Sequence, residues 1–319
     1  MKAIRYARKS IALACKPLFH FWGRHRQREI ASLVPAFSLA PESRRGMNLN
    51  VMSFNIRRGT AKDGRNHWVF RSSHVNEILS RYRPDVLGLQ EALDFQISEI
   101  RTMLPGYEVI GTGNLGESKG LHSAIFYDAR RFVPSAEGTF WFSDTPEIPG
   151  SKGWGNIIPR TCTWARFVEK ESGQSFYFYN THLDHLSLRS RKRSVVSLIR
   201  HIHERPFPDP FVLTGDFNAR EKSRPMRFLK GKSYLKIKKQ GNLSNPEPLM
   251  DTFRACHPNR RNVVTYHGFR RFFFRLKLDY ILVPSSVTVQ DAKIIQQRWK
   301  RCFPSDHFPL VSHIRLNPH

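Results

Sequence analysis

Short apolar runs alternate with segments of helical periodicity along the first two thirds of the chain. The short apolar runs are rich in branched residues and are bounded by polar, Gly or Pro positions, as is typical of buried strands. These runs are residues 49–54, 86–89, 124–127 and 211–213. Apolar positions three or four residues apart instead predict helices. These segments are residues 75–82, 97–104 and 195–202.

The later part of the pattern adds a hairpin and two further strands. Residues 161–168 and 175–181 are β-rich runs around Glu-Ser-Gly-Gln, which predicts a hairpin. Strands are also predicted at 276–283 and 310–316. Alternation of strands and helices together with a hairpin and late strands predicts an α/β fold. We expect a four-layer sandwich of two packed mixed β-sheets with helices outside.

The first 46 residues differ from the rest of the chain. They are rich in Arg and Lys and contain no acidic residue before Glu29. We expect a basic N-terminal extension over 1–46, either disordered or an interfacial helix, and one folded domain over 47–319. A secretory signal core is disfavoured because Lys16 and Pro17 interrupt its apolar run.

Charge separates this chain from an ordinary globular domain. Its 319 residues carry a formal net charge of +26, which predicts attraction to nucleic acid, anionic membranes or phosphorylated substrates. Four cysteines lie far apart without a Cys-x-x-Cys pair, which favours free thiols over a zinc site or disulfides. We expect a monomeric cytoplasmic protein, with contact to an anionic membrane through 1–46 and export kept as alternatives.

The candidate chemistry is concentrated in the stretch 214–218, Thr-Gly-Asp-Phe-Asn. The apolar run before it predicts a strand that delivers Asp216 and Asn218 to the rim of a sheet. Two polar residues at this spacing on extended chain would face the same way and could hold a metal ion or a water molecule. An Asx turn that merely closes the strand is the alternative.

Other predicted strand ends deliver matching polar groups. Asn55, Glu91 and His182 each follow a predicted strand, and Asp306 and His307 precede the last one. Taken singly, each residue has a purely structural explanation. Asn55 could form a turn, Glu91 could be a helix N-terminal carboxylate, His182 could be a core or edge histidine, and Asp306 could be a cap. Together, oxygen donors without cysteine predict a site for a hard cation such as Mg²⁺, with imidazoles left for proton transfer or anion stabilisation.

At these positions the chain resembles the endonuclease/exonuclease/phosphatase superfamily, whose fold is DNase I-like. The matching segments are 53–57 (SFNIR), 85–91 (DVLGLQE), 180–184 (NTHLD), 214–218 (TGDFN), 278–281 (LDYI) and 305–309 (SDHFP). The aromatic and Pro/Gly-rich stretch around 140–165 is similar to a bacterial subgroup near the deadenylase-like branch. The resemblance implies a four-layer α/β sandwich and metal-dependent hydrolysis of a phosphate ester.

The resemblance also implies roles for individual residues. Glu91 would be the main Mg²⁺ ligand, with Asn55 and Asp306 close to the metal and Mn²⁺ as a substitute ion. The catalytic set would be His182, Asp216, Asn218, Asp279 and His307. Within it, Asp216 and Asn218 would position the attacking water, and His307, paired with Asp279, would be a general base or phosphate stabiliser. His182 would donate to a phosphoryl oxygen.

The substrate stays open at this point. Arg57, Lys152 and Arg160 are candidate phosphate-binding cations, and each could equally be a solvated loop charge. The leading prediction is a Mg²⁺-dependent phosphoesterase acting on nucleic acid or nucleotides. Its alternatives are a membrane-associated inositol-phosphate phosphatase or sphingomyelinase-type phospholipase, and a noncatalytic polyanion-binding protein on the same fold.

Overall fold

The structure, a computed structural model, describes residues 46–238, 240–270, 276–297 and 302–317. The expectation for the basic extension therefore lies outside the described residues, apart from its last position. Within the described ranges, no helix is long and apolar enough to cross a membrane. Cys162, Cys256 and Cys302 are free thiols.

Strands and helices alternate as the apolar pattern predicts. The strands of the described chain are β1 (Met47–Asn55), β2 (Val86–Gln90), β3 (Tyr107–Ile110), β4 (Ile125–Asp128), β5 (Phe132–Trp141), β6 (Thr161–Glu169), β7 (Ser175–His182), β8 (Phe211–Asp216), β9 (Leu235–Ile237), β10 (Gly241–Leu243), β11 (Leu249–Asp251), β12 (Asp279–Pro284), β13 (Thr288–Ile294) and β14 (Leu310–Leu316). Its α-helices are α1 (Trp68–Tyr82), α2 (Asp94–Met103), α3 (Leu188–His203), α4 (Arg224–Leu229) and α5 (Thr252–Cys256).

Two six-stranded sheets form the centre of the fold. The first has the order β13-β14-β1-β2-β4-β3 and the second the order β11-β12-β8-β7-β6-β5. In each sheet one pair is parallel, β1 with β2 and β7 with β8, and the neighbouring pairs are antiparallel. The predicted mixed sheets are therefore confirmed.

The side chains of each central strand alternate between two hydrophobic cores. In β1, Val51 packs between the two sheets, whereas Met52 and Phe54 pack outward against α1 and α2. Residues of α3 and α4 cover the outer face of the second sheet in the same way. Burial of one face of each helix and both faces of each sheet produces the predicted four layers.

Local signals explain where several of these elements begin and end. α1 ends at Arg83, which has a left-handed φ of 33° and precedes Pro84, a residue that disfavours helical conformation before it. α3 begins after Ser187, whose side chain accepts a hydrogen bond from the Ser190 N–H as an N-cap.

One late strand begins further along the chain than predicted. β12 starts at Asp279, whereas Leu276 forms only an isolated bridge with Tyr266. The prediction of a strand from 276 was wrong there because apolar alternation continued through a segment that pairs outside the sheet.

A buried polar cluster joins the two sheets beneath their strand ends. The Asn180 Nδ2 donates to the carbonyls of Leu89 and Ala124 at 2.8 and 2.9 Å. Its Oδ1 accepts from Gln90 Nε2 at 2.7 Å and from Thr214 Oγ1 at 3.1 Å. The three bonds to Leu89, Ala124 and Gln90 hold one sheet against the other, and the bond from Thr214 lies within the second sheet.

Gly88 lies directly against this cluster. A Cβ atom at this position would lie 2.4 Å from Thr214 Oγ1 and 2.6 Å from Asn180 Oδ1. The absence of a side chain at Gly88 therefore makes room for the polar cluster.

Candidate functional site

The two parallel strand pairs bring their carboxyl ends to the same region. Asn55 pairs with Gln90 at the ends of β1 and β2, and His182 pairs with Asp216 at the ends of β7 and β8. Asn55 Nδ2 donates to Asp216 Oδ2 at 3.1 Å, which joins the two sheets at this edge. The expected meeting of these strand ends is what the structure shows.

The turn after β8 differs from the extended geometry expected for it. Asn218 has a left-handed φ of 47°, and its N–H donates to Asp216 Oδ1 at 2.9 Å. The chain therefore forms an Asx turn, because the short polar side chain bonds the backbone two residues on. Both side chains nevertheless face the cavity, so the turn and a functional role coexist.

A buried imidazole–carboxylate pair lies beside Asp216. His307 Nδ1 is 2.8 Å from Asp279 Oδ2, and His307 Nε2 is 3.8 Å from Asp216 Oδ2. Burial alone would lower the pKa of His307, but the Asp279 and Asp216 carboxylates outweigh it and raise this pKa to about 10. His307 is therefore an imidazolium at neutral pH in this arrangement.

The surroundings of Asp216 disfavour its charged form, whereas those of His307 favour the charged imidazolium. Burial, and then repulsion from Asp279, raises the pKa of Asp216 to about 7 against the attraction of His307. A carboxylate whose pKa lies near neutrality can accept a proton from a water molecule at working pH.

His182 is neutral and already holds a hydrogen bond. Asn218 Nδ2 lies 3.1 Å from His182 Nε2 and also donates to the Leu183 carbonyl at 3.0 Å. Burial, followed by repulsion from Arg160, lowers the pKa of His182 well below its usual value. Because an amide nitrogen can only donate, Nε2 is the acceptor here, and donation from it to a phosphoryl oxygen first requires protonation.

The predicted metal ligands surround the end of β1. Among the described residues, Glu91, which has a left-handed φ of 61°, receives only long contacts of 3.3 Å from Asn55 Nδ2 and the Arg58 N–H. Ser305 Oγ donates to the Asn55 carbonyl at 2.6 Å and to Asp306 Oδ1 at 3.2 Å. Glu91 and Asp306 line the cavity, and Asn55 lies next to both of them beneath it.

The donor atoms of these groups fit a divalent cation. Burial raises the pKa of Asp306, and repulsion from Glu91 adds to it, against the attraction of His307 and of Arg57, whose guanidinium lies 3.8 Å from the carboxylate. Carboxylate and amide oxygens are ligands that suit a hard cation such as Mg²⁺.

A more compact set of ligand atoms comes from Asp216, Asp279 and His307, which lie within 4.8 Å of one another. We interpret that set as a hydrogen-bonded ion pair, since His307 Nδ1 lies 2.8 Å from Asp279 Oδ2 and the two carboxylates favour the protonated imidazole. That Asn55, Glu91 and Asp306 hold a metal ion stays a prediction.

Cations line the cavity of about 810 Å³ into which these groups open. Arg57 lies on its wall and forms a paired contact with Asp63 at 3.0 and 3.1 Å. Arg160 is also on the wall, 3.7 Å from Asp184, and donates to His185 Nδ1 at 2.9 Å. Two of the three predicted cations are therefore in position to meet an anion.

Lys152 is placed differently. It is exposed on the loop between β5 and β6 and is not among the residues that line the cavity. Its role in binding substrate stays a prediction.

Sequence reasoning missed further wall residues. They are Arg58, His185, Arg191, Arg220, Lys222 and Tyr266. Arg58 follows the matched segment 53–57 directly and could have been found from that position. The others lie in turns or at the start of α3, where the apolar pattern carries no signal.

Comparison with known proteins places this geometry in a family. The sequence profile described as the Endonuclease/Exonuclease/phosphatase family matches residues 52–307. An endonuclease/exonuclease/phosphatase from Bacteroides vulgatus is 29% identical, with a TM-score of 0.76 over 85% of this chain and 100% of its own.

Two further solved structures extend the comparison. A mannosyl-6-phosphatase of Bacteroides thetaiotaomicron is 30% identical, with a TM-score of 0.72 over 83% of this chain and 99% of its own. The catalytic domain of human Nocturnin is 20% identical, with a TM-score of 0.65 over 85% of this chain and 94% of its own, and shares the fold.

Proposed function

Because this chain belongs to the endonuclease/exonuclease/phosphatase family, we propose that it is a Mg²⁺-dependent hydrolase of phosphate esters. The observation that carries the proposal is the single cavity onto which Glu91, Asp306, Asp216, His182 and His307 all open. A noncatalytic binding protein is disfavoured, since every residue of the predicted set is present and the groups face one another.

The residues divide into a metal-holding set and a phosphate-facing set. Glu91, Asn55 and Asp306 would hold the cation. When bound, Mg²⁺ would polarise the ester and neutralise charge that develops on the leaving oxygen. Asp306 and Glu91 are supported in this role by their carboxylates, which line the same cavity.

The phosphate-facing set supplies the water and the donors. Asp216 Oδ2 would take a proton from the attacking water as the water oxygen bonds to phosphorus. The P–O ester bond would break, and the leaving oxygen would take a proton from solvent water. His307, held by Asp279, presents Nε2–H for the phosphoryl oxygens, and the Asn218 amide orients the phosphate or the water.

A phosphate monoester is the first candidate substrate. The mannosyl-6-phosphatase of Bacteroides thetaiotaomicron resembles this chain over 99% of the phosphatase's own length. Arg57 and Arg160 on the cavity wall give the terminal phosphate cationic partners.

Nucleic acid or a nucleotide is the second candidate. The net charge of +26 favours a polyanion, because Lys and Arg neutralise backbone phosphates and release their counterions. An inositol phosphate or sphingomyelin remains the alternative that would use the basic extension at a membrane.

A substrate panel tests these candidates. Phosphate release or strand cleavage is measured with mannose 6-phosphate, inositol phosphates, single-stranded DNA, poly(A) RNA and sphingomyelin, each with Mg²⁺ and with EDTA. We expect Mg²⁺-dependent turnover of mannose 6-phosphate above the others. Faster cleavage of DNA or RNA would assign the cavity to nucleic acid, and no turnover of any phosphate ester would refute the proposal.

The basic extension is tested separately by deleting residues 1–46. We propose that it raises affinity for anionic surfaces without building the site, so turnover of a small soluble substrate should be unchanged. Binding to phosphatidylserine vesicles should weaken and become less sensitive to salt. Unchanged salt-sensitive vesicle binding would place the basic surface within the folded domain.

A further inference from the structure

A second cavity lies behind the segment that carries Asp306 and His307. Its volume is about 730 Å³, and none of its lining residues belongs to the cavity of the candidate site. The His267 N–H donates to the Asp306 carbonyl at 2.9 Å, and the Phe308 N–H donates to the Thr265 carbonyl at 2.7 Å. The two cavities therefore share one stretch of chain as a wall.

The lining of this second cavity is cationic. Arg260, Arg261, Arg270 and Lys293 line it, and within the described part of the chain no Asp or Glu does. Lys293 pairs with Asp291, whereas no ion pair to a carboxylate is found for the three arginines within the described ranges. Unneutralised guanidinium groups around a concave surface favour an anion, above all a phosphate with its several acceptor oxygens.

The inner wall is aromatic. The ring of His267 lies 4.4 Å from that of Phe303 and 4.3 Å from that of Phe308, and Phe253 contacts His257 at 4.6 Å. Flat rings lining a cavity give another aromatic ring faces and edges on which to pack.

His267 supplies a polar group that the described residues leave unused. It is 5% exposed, and among the residues that the structure describes neither of its ring nitrogens has a hydrogen-bond partner. A neutral imidazole carries one donor and one acceptor, and leaving both unmade in a buried site is costly.

We infer that this second cavity is a binding site for a phosphorylated aromatic molecule of the nucleoside monophosphate class. Its phosphate would meet Arg260 and Arg261, its ring would pack on the aromatic wall, and the edge of the base would meet the two nitrogens of His267. The volume lies within the range of small-molecule sites. This inference stands whether or not the enzyme hydrolyses the proposed substrates.

Calorimetric titration of the full-length protein with AMP in EDTA tests the inference without turnover. Arg260→Ala/Arg261→Ala should weaken AMP binding about tenfold or more, because it removes two charged phosphate partners. The matched control is Arg65→Ala/Arg189→Ala, which removes the same charge from exposed positions that line neither cavity. Equal weakening in both pairs would show attraction to net charge alone and overturn the inference.

Two further arms separate this cavity from the candidate active site. Arg160→Ala should leave AMP affinity at this site unchanged, and loss of binding in that variant with normal binding in Arg260→Ala/Arg261→Ala would overturn the inference. Adenosine and inorganic phosphate should each bind more weakly than AMP. If inorganic phosphate binds as tightly as AMP, the aromatic wall plays no part and the assigned ligand class is wrong.

His267→Phe tests the polar contact directly. The substitution keeps an aromatic ring but removes both nitrogens, so AMP binding should weaken while the unfolding midpoint does not fall. Unchanged AMP affinity in folded His267→Phe protein would contradict the predicted contact with the base. Should this variant fail to fold, the arginine pair still decides the inference.

Discussion

Asn180→Ala should destabilise the fold strongly, because Asn180 is the centre of the buried polar cluster that joins the two sheets. The variant removes four buried hydrogen bonds, with Leu89, Ala124, Gln90 and Thr214 as partners. At about 0.5–1.5 kcal/mol net for each bond, the free energy of unfolding should fall by about 2–6 kcal/mol.

The partners of Asn180 decide where in that range the effect falls. In the variant, Gln90 Nε2 still donates to the Gly88 carbonyl at 3.1 Å, and Thr214 Oγ1 still donates to the Tyr179 carbonyl at 3.2 Å. The Ala124 carbonyl still accepts the Leu89 N–H at 2.8 Å. Since these groups are not left wholly unpaired, we expect about 3 kcal/mol, including the small cavity that the truncation leaves.

Urea unfolding at equilibrium, followed by tryptophan fluorescence, measures the loss. Thr181→Val is the matched control on the same strand, since its hydroxyl makes one bond, to the Thr161 carbonyl at 3.0 Å. It should cost about 0.5–1.5 kcal/mol. A loss of unfolding free energy below about 1 kcal/mol in Asn180→Ala, or a loss equal to that of Thr181→Val, would refute the reasoning that the buried polar cluster holds the two sheets together.

Two further predictions concern buried charge. His307→Ala and Asp279→Ala should each reduce kcat strongly. Because the two residues act as one unit, the fold-loss of kcat in the double variant should be much smaller than the product of the two single fold-losses. Multiplicative losses in steady-state assays would contradict the pairing. Asp251→Asn should cost about 3–5 kcal/mol in urea unfolding, since Lys277 at 2.8 Å and Lys230 at 3.2 Å lose their buried partner. Its control, Asp291→Asn in an exposed pair with Lys293, should cost at most about 1 kcal/mol.

The central part of the fold could be predicted because its strands are apolar on both faces. β8, for example, is buried at all six positions, so its apolar run marked both the strand and the polar residues at its end. β5 gave no such signal. Its exposed and half-exposed residues alternate through an edge position with a bulge between Pro134 and Ala136, so few of its side chains reveal the sheet.

The candidate site was predictable where polar residues follow apolar strands and unpredictable where partners are distant. Asn55, His182 and Asp216 could be placed from the strands before them. The cross-sheet role of Asn180 could not, because Leu89 and Ala124 lie 91 and 56 residues away in the sequence. At Asn218 the Asx turn that was kept as the alternative is the one observed, because local Asx bonding overrides the extended pattern of β8.

The central claim is that Glu91 holds a divalent cation required for phosphate-ester hydrolysis. The direct measurement is the initial rate of phosphate release from the best substrate of the panel, by EDTA-stripped protein titrated with Mg²⁺. Mg²⁺ should restore turnover to the native protein and to the exposed control Glu171→Gln. Folded Glu91→Gln, which removes the charge at nearly constant volume, should need at least about tenfold more Mg²⁺ or stay inactive. Full turnover by the metal-stripped protein, or an unchanged Mg²⁺ dependence in Glu91→Gln, would contradict the claim.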